Sequence, residues 1–401
     1  MKNNNSRLIV IQSILVAFFA DIRCINWGLT KGGFVGEGAM SLLYIVIVGL
    51  IIVSTVFSRR SLAYSFRGYS IFFPLFLLLF YAVTSIFVAP PVVSIPFFLI
   101  FTIIAFLIPH ITLVNSYLML KSMMILPSFA ILRFHDVFAS VVDWTNRLPM
   151  DVSYGYLIPI IANIVFLWFY FKEENKFAKL VTIIFSTINF LFFLNILLFG
   201  SRGPLLCVFL LLCILWCIYI KADNLLIINK KRIMFLTVIS AMLFVFFNPI
   251  LRFLNDYFVD YGLEIDALSK MVYLQETGAD ISNGRSSLNA ITWKGIMEHP
   301  ILGNGLDQYD NNNPGEDYPH NFLLQILYDG GLFLLLLFMP IFKRIPKLLK
   351  NCKKNELVVF LVFFFGAVPG ALFSQDLWCI PVLWMFFGLM CTKQFVINSN
   401  N

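Results

Sequence analysis

Apolar residues along this chain come in runs long enough to cross a bilayer, with polar residues gathered in the gaps between them. A membrane-crossing helix needs about 20 mostly apolar residues, and about 17 to 25 are tolerated. Twelve runs meet that requirement, near 8–27, 39–57, 71–89, 93–114, 116–133, 154–171, 180–199, 204–220, 233–250, 321–342, 357–374 and 377–392. The fifth is the weakest, because Lys121 and Pro127 interrupt it, and the first carries Asp21 and Arg23 inside its far end. After the ninth run the pattern changes. Residues 251–319 are polar, and a segment of about 70 residues without structure of its own is uncommon in a folded protein. Within it, "ILRFLNDYFVDYG" sets Leu251, Leu254, Phe258 and Tyr261 at helical spacing, which predicts an amphipathic helix on the outer leaflet. A second helix is predicted from near Ser286–Ser287 to just before Pro300, and the Gly-, Asn- and Asp-rich stretch from Gly303 to Pro319 reads as irregular loop.

The expected architecture is therefore an all-α integral membrane protein. It has about twelve transmembrane helices and one long periplasmic loop containing short amphipathic helices. Residues 1–250 hold spans one to nine, 251–319 the loop, and 320–401 the last three spans and a cytoplasmic tail.

Composition agrees: 60% of positions are hydrophobic and 13% charged, where a soluble domain carries about 25% charged. Charge adds direction. With the N-terminus in the cytoplasm and the spans alternating, 20 of the 29 basic residues fall inside, against four acids (Glu173, Glu174, Asp223, Glu356). Both termini are then cytoplasmic, and the net +7 reports topology and attraction to membrane lipids, with no nucleic-acid partner implied. The seven cysteines show no metal-ligand spacing and none lies in 251–319, so neither a disulfide framework nor a zinc site is expected. The polar "MKNNNSR" before the first run resembles a signal anchor, and without a convincing small-residue cleavage site it is kept as a helix.

Three outward features could carry chemistry. In "NILLFGSRGPLLCVF", Arg202 sits at an expected tight turn between two spans, where glycines let backbone N–H groups approach a ligand. Arg285 precedes the second loop helix and "HPILGNG" follows that helix. His320 opens a span in "PHNFLLQILYDGGLF", where the helix dipole disfavours imidazolium and leaves the ring able to accept a proton. Singly each has an ordinary reading: an arginine snorkelling to headgroups, a solvated loop charge, a helix-start residue. Together they point elsewhere. Asn321, Gln325 and Asp329 form a polar stripe at i, i+4 and i+8 that must face protein or water, which predicts a polar cavity beside this helix. Arginines and a neutral base around such a cavity suit a lipid-linked anionic substrate, since guanidinium binds phosphate oxygens in bidentate fashion.

With these residues in place, the chain resembles the bacterial O-antigen polymerase and O-antigen ligase family. The resemblance rests on the span plan, the Ser-Arg-Gly at 201–203, the Gly-Arg at 284–285 with Trp293 and "HPILGNG" downstream, and the His-Asn at 320–321. One departure is the adjacent pair Gly330 and Gly331 followed by Phe333, where family members often carry two glycines three apart.

The resemblance implies glycan transfer from an undecaprenyl-pyrophosphate carrier to an acceptor hydroxyl at the periplasmic face of the inner membrane, with no cofactor and no metal. Arg202 and Arg285 would bind the pyrophosphate, and His320 would accept the hydroxyl proton or orient the hydroxyl. Asn321, Tyr328 and Asp329 are further substrate-binding candidates, while Asp21 and Arg23 are expected to meet other spans as structural charges. The polymerase type is favoured on the "PHNFLLQILYDGG" stretch, with a chain-length regulator as a candidate partner. The alternative is a ligase joining the glycan to lipid A-core. A flippase or other transporter is the rival of another class, and the absence of two related halves weighs against it.

Overall fold

The computed structural model describes residues 2–31, 39–58, 68–128, 150–199, 202–220, 226–262, 265–278, 285–316, 318–392 and 395–396. Almost all of them are helical. Six helices are long and apolar enough to cross a membrane: Ser6–Asn26 within α1 (Lys2–Lys31), Met40–Phe57 within α2 (Ala39–Phe57), α3 (Tyr69–Phe87), Lys176–Leu194 within α7 (Lys176–Phe199), Phe322–Lys350 within α13 (Phe322–Asn351), and α14 (Lys354–Phe373). Four shorter apolar helices accompany them: α4 (Ile95–Ile111), Ser153–Phe169 within α6 (Met150–Phe169), α8 (Arg202–Cys217) and α15 (Pro381–Cys391). Ten of the twelve expected runs are thus apolar helices. The 116–133 run gives α5 (Ser116–Ile125), and its last residues, 129–133, lie outside the described residues.

Two expected spans end differently. The 233–250 run is two helices, α9 (Lys230–Val245) and α10 (Phe247–Asp260), broken at Phe246. Pro249 lacks the N–H that would bond the Val245 carbonyl, so the first helix cannot run through it. The amphipathic helix therefore starts four residues earlier than its predicted Leu251. At the end of the 204–220 run, Ile218–Ile220 leaves the helix and pairs antiparallel with Leu226–Ile228. Isoleucine and tyrosine favour that pleated state, and this two-stranded hairpin is the exception to the all-α expectation. In the loop, α11 (Asp266–Glu276) and α12 (Arg285–Glu298) follow, the latter where a second helix was expected.

The core is aromatic. Trp378, Trp384, Phe73, Phe98, Phe106, Phe338 and Phe363 are fully buried, α15 buries every residue and α14 most of its residues. Helices α2, α3 and α7 instead leave apolar side chains such as Leu42, Phe87 and Phe177 exposed, as lipid-facing helices do.

The ends of α6 and α14 define two polar poles. At one, Glu174 accepts from Lys121 Nζ at 2.5 Å, Thr182 at 2.6 Å and Tyr117 at 2.8 Å, while Lys354 pairs with Glu173 at 2.5 Å. Burial opposes the Glu174 charge, yet these donors hold its carboxyl below the usual range. At the other pole, α14 ends at Ser374 and a short polar segment, 374–379, leads into α15.

Helix α13 is interrupted near that pole. Gly331 has φ 58° and ψ −159°, which frees the carbonyls of Tyr328 and Asp329 and the N–H groups of Leu332 and Phe333. The "PILGNG" loop takes all four. Asn304 N donates to Tyr328 O at 2.8 Å and Gly305 N to Asp329 O at 2.9 Å. Leu332 N donates to Pro300 O at 2.9 Å and Phe333 N to Ile301 O at 3.1 Å. A methyl group on Gly303 would strike the Asp329 carbonyl, and one on Gly331 would strike Ile301. The second glycine of the adjacent pair is therefore the close-packing one.

Candidate functional site

The three sequence features meet around Ser374. Arg285, the first residue of α12, donates from Nη2 to Ser374 Oγ at 2.7 Å. Tyr318 donates its hydroxyl to the Ser374 carbonyl at 2.9 Å, and its ring meets that of His320 edge-on with centroids 4.3 Å apart. Helix α6 presents Tyr154 to the same spot, its hydroxyl facing Ser374 and the Arg285 guanidinium. Gly203 lies against that hydroxyl so closely that a methyl group there would overlap it. Arg202 is the residue just before Gly203 in the chain. It is half-buried and is the first residue of α8, while the other turn residues, Gly200 and Ser201, lie outside the described residues, as does Gly284.

His320 stands one residue outside its helix. Its φ is 56°, in the left-handed region that non-glycine residues rarely adopt, and histidine is among the more tolerant. Asn321 is the N-cap: its side-chain oxygen accepts from Leu323 N at 2.9 Å and Leu324 N at 3.3 Å. Asn321 therefore fixes the helix start that holds the imidazole in place.

The polar stripe faces protein. Gln325 donates to Asp376 Oδ1 at 2.6 Å and accepts from Leu377 N at 2.9 Å, and Trp378 Nε1 donates to Asp329 Oδ2 at 2.7 Å. Gln325 and Asp329 clamp the 374–379 segment to the helix that follows His320. Asp307 lies behind them, itself at φ 55°, accepting from Val93 N at 2.5 Å. Burial first, then the nearby Asp376 carboxylate, push its pKa up to about 8, against the pull of the Val93 N–H. Among the described residues, no group of three His, Cys, Asp or Glu side chains is arranged to hold a metal ion.

Tyr328 belongs to a neighbouring small core. It packs on Gly295 and Tyr309, and its hydroxyl accepts from Asn312 and Asn313, each at 3.2 Å. These contacts anchor the loop and involve none of the Ser374 group. Arg23 donates to the Cys379 carbonyl, meeting another segment as expected of it. Asp21 is fully buried, with no hydrogen bond to its carboxylate among the described residues.

Residues 187–339 match the family model for O-antigen ligase, and that stretch contains Arg202, Arg285, His320 and Asp329. Over this stretch the chain is similar to the O-antigen ligase family. Proteins of this family are membrane enzymes of glycosyltransferase type. No curated protein matches the chain. The matched stretch supplies both cations and the imidazole, whereas Tyr154 and Ser374, which receive them, lie on flanking helices outside the match. Sequence reasoning missed those two residues, together with Tyr318, Asp307 and Asp376. A usable signal was "FSQDLWC", three polar residues in a row between two apolar runs.

Proposed function

We propose that this protein is an O-antigen polymerase of the bacterial inner membrane. In this reading it has about twelve spans, both termini are cytoplasmic, and the Ser374 pole faces the periplasm. It transfers glycan from an undecaprenyl-pyrophosphate-linked donor to a lipid-linked repeat unit. Arg202 and Arg285 bind the pyrophosphate and stabilise the negative charge that grows on it as the sugar C1–O bond breaks. The acceptor hydroxyl attacks C1, its proton passes to His320, and the lipid pyrophosphate leaves with the bonding electron pair. The Asn321 cap and the Tyr328 anchor hold the imidazole and the loop in register, and Asp329 keeps the 374–379 segment against them.

One observation carries the reading: Arg285, the His320 neighbour Tyr318, and the Arg202–Gly203 helix start are all tied to the Ser374 group. The guanidinium of Arg285 is bonded to a neutral hydroxyl, which leaves its charge available to an anion. Purified protein supplied with a defined lipid-pyrophosphate repeat unit should build a ladder of glycan lengths on a gel. Near-normal ladders from Arg202→Ala, Arg285→Ala and His320→Ala together would end the assignment.

The ligase reading is favoured by the match to the O-antigen ligase family, and it uses the same donor chemistry. A deletion strain separates the two. Surface lipopolysaccharide bearing one repeat unit marks a lost polymerase, and bare core marks a lost ligase.

A further inference from the structure

The Tyr154 hydroxyl has a placement that packing alone does not explain. The residue is 4% exposed, and among the described residues no donor or acceptor completes a well-formed hydrogen bond with its oxygen. A buried hydroxyl left so costs about 1–3 kcal/mol, and a phenylalanine would avoid that cost while filling the same space. The surroundings make room for the hydroxyl nonetheless. Gly203 yields the space a side chain would take beside the oxygen, and Gly370 yields space beside the ring, where a methyl group would come within 2.9 Å of the Tyr154 ring edge. Two helices thus present glycine to one tyrosine.

The direction of the hydroxyl matters as much as its burial. It is aimed at the start of α8, where the first N–H groups of a 16-residue helix lack intrahelical partners and favour an anion. It also faces Ser374 and the Arg285 guanidinium, so it lies between the two arginine-bearing helix starts. Ser374, Arg285 and the start of α8 offer a hydroxyl, a cation and N–H donors on that side. An anion with several acceptor oxygens would suit all three.

We infer that Tyr154 is a third ligand of the donor's phosphate oxygens, its O–H donating to an oxygen held between Arg202 and Arg285. This rests on the reading above, in which those arginines hold the pyrophosphate. The contact forms on binding and persists through the reaction, so it strengthens donor binding without changing the chemical step. Gly203 acts with it as a positioning residue, because a side chain there would displace the phenol.

The test uses the full-length protein in lipid nanodiscs, with the lipid-pyrophosphate repeat unit as donor and inorganic pyrophosphate as inhibitor. Tyr154→Phe should raise the donor KM about tenfold and the pyrophosphate Ki by a similar factor, with kcat near that of the parent and Tm at or above it. Gly203→Ala should raise KM further, and its penalty should shrink when combined with Tyr154→Phe, since the clashing oxygen is then gone. A Tyr154→Phe enzyme with parental KM and Ki overturns the inference, as does a lowered Tm with parental KM, which would mark a purely structural hydroxyl. If Arg285→Ala is inactive while Tyr154→Phe is parental, only the tyrosine assignment fails. If Arg285→Ala turns over normally, the phosphate-binding reading fails and takes this inference with it.

Discussion

The two polar poles of the bundle handle charge in opposite ways. At the Glu174 pole the carboxylates of Glu173 and Glu174 each have a counter-charge, Lys354 and Lys121, and Thr182 and Tyr117 complete the donor set around Glu174. At the Ser374 pole Arg285 meets a hydroxyl and Arg23 a carbonyl, while Asp307 and Asp376 lie near each other. Among the described residues no ion pair joins opposite charges there. In the reading proposed above, the Arg285 guanidinium of the second pole is what the donor's phosphates meet, whereas the ion pairs of the first pole serve stability.

The sharpest way to break this contrast is to remove charges from both poles. Arg285→Ala should lower glycan transfer on the order of 10²–10³-fold, the usual loss for a group that stabilises growing charge. His320→Ala should fall within about 10²–10⁴-fold. Arg285→Lys should recover only part, because an ammonium lacks the planar fork that grips two phosphate oxygens. Lys354→Ala at the other pole, where the lysine's partner Glu173 is exposed, should leave turnover per folded molecule unchanged. Equal losses from Lys354→Ala and Arg285→Ala in the gel assay would erase the distinction between the poles.

Next in size is the interlock that sets the Ser374 pole. Gly331→Ala puts a methyl group against the Ile301 carbonyl at a left-handed backbone position. Overpacking alone costs about 1–3 kcal/mol, and the strained φ adds to it. A clearly lowered Tm is expected, with Gly303→Ala alike because both sit in the same four-bond exchange. Because the interlock joins α12 to α13, activity should fall along with it. A Gly331→Ala protein with parental Tm would show that the loop and the broken helix are not coupled.

This interlock also marks where the sequence was readable. Long apolar runs betray membrane helices because no other local state satisfies their backbone in lipid, and the runs containing α1, α3, α13 and α14 are plain on that ground. Arg202 and His320 were visible as polar residues at apolar borders, and Arg285 as a loop charge ahead of a predicted helix. What pattern alone does not show is a partner that looks ordinary in its own segment. Tyr154 reads as one more aromatic residue in an apolar helix, and Ser374 as a loop serine. Their meaning arises from contacts across more than 80 residues, such as Arg285 with Ser374. The break at Phe246 could have been foreseen from Pro249, but the hydrophobic run hid it. Gly331 could not have been placed, because its left-handed turn is set by the loop that fills the gap.

A milder test addresses the paired pole. Lys121→Met keeps length and apolar bulk but strips Glu174 of its cation, leaving the hydroxyls of Thr182 and Tyr117. Loss of one partner of a largely buried group costs about 1–3 kcal/mol, and the retained hydroxyls put the expectation at the low end. A Tm lowered by a few degrees with unchanged donor KM is the expected pair of readings. A raised KM would mean that this pole also touches substrate, and the division of labour would be lost.

The smallest effect is the sign of the pH response, and it should differ between the poles. Glu174 is held below its ordinary pKa, so its stabilising contribution is present above that ordinary value and lost as pH falls through the folded one. Asp307 is the reverse case. Its folded pKa is about 8 against an ordinary value near 3.8, so between these the native state keeps a proton that the unfolded chain has released. Stability at Asp307 therefore declines as pH rises across that window and stays reduced above it. Asp307→Asn removes the titration while its side-chain oxygen can still accept from Val93 N. Melting curves at pH 5 and pH 8 should show the variant gaining on the parent protein at the higher pH. A parallel pair of melting-temperature slopes would mean that the Asp307 carboxyl is not held protonated, and the contrast in charge handling would then rest on the arginines alone.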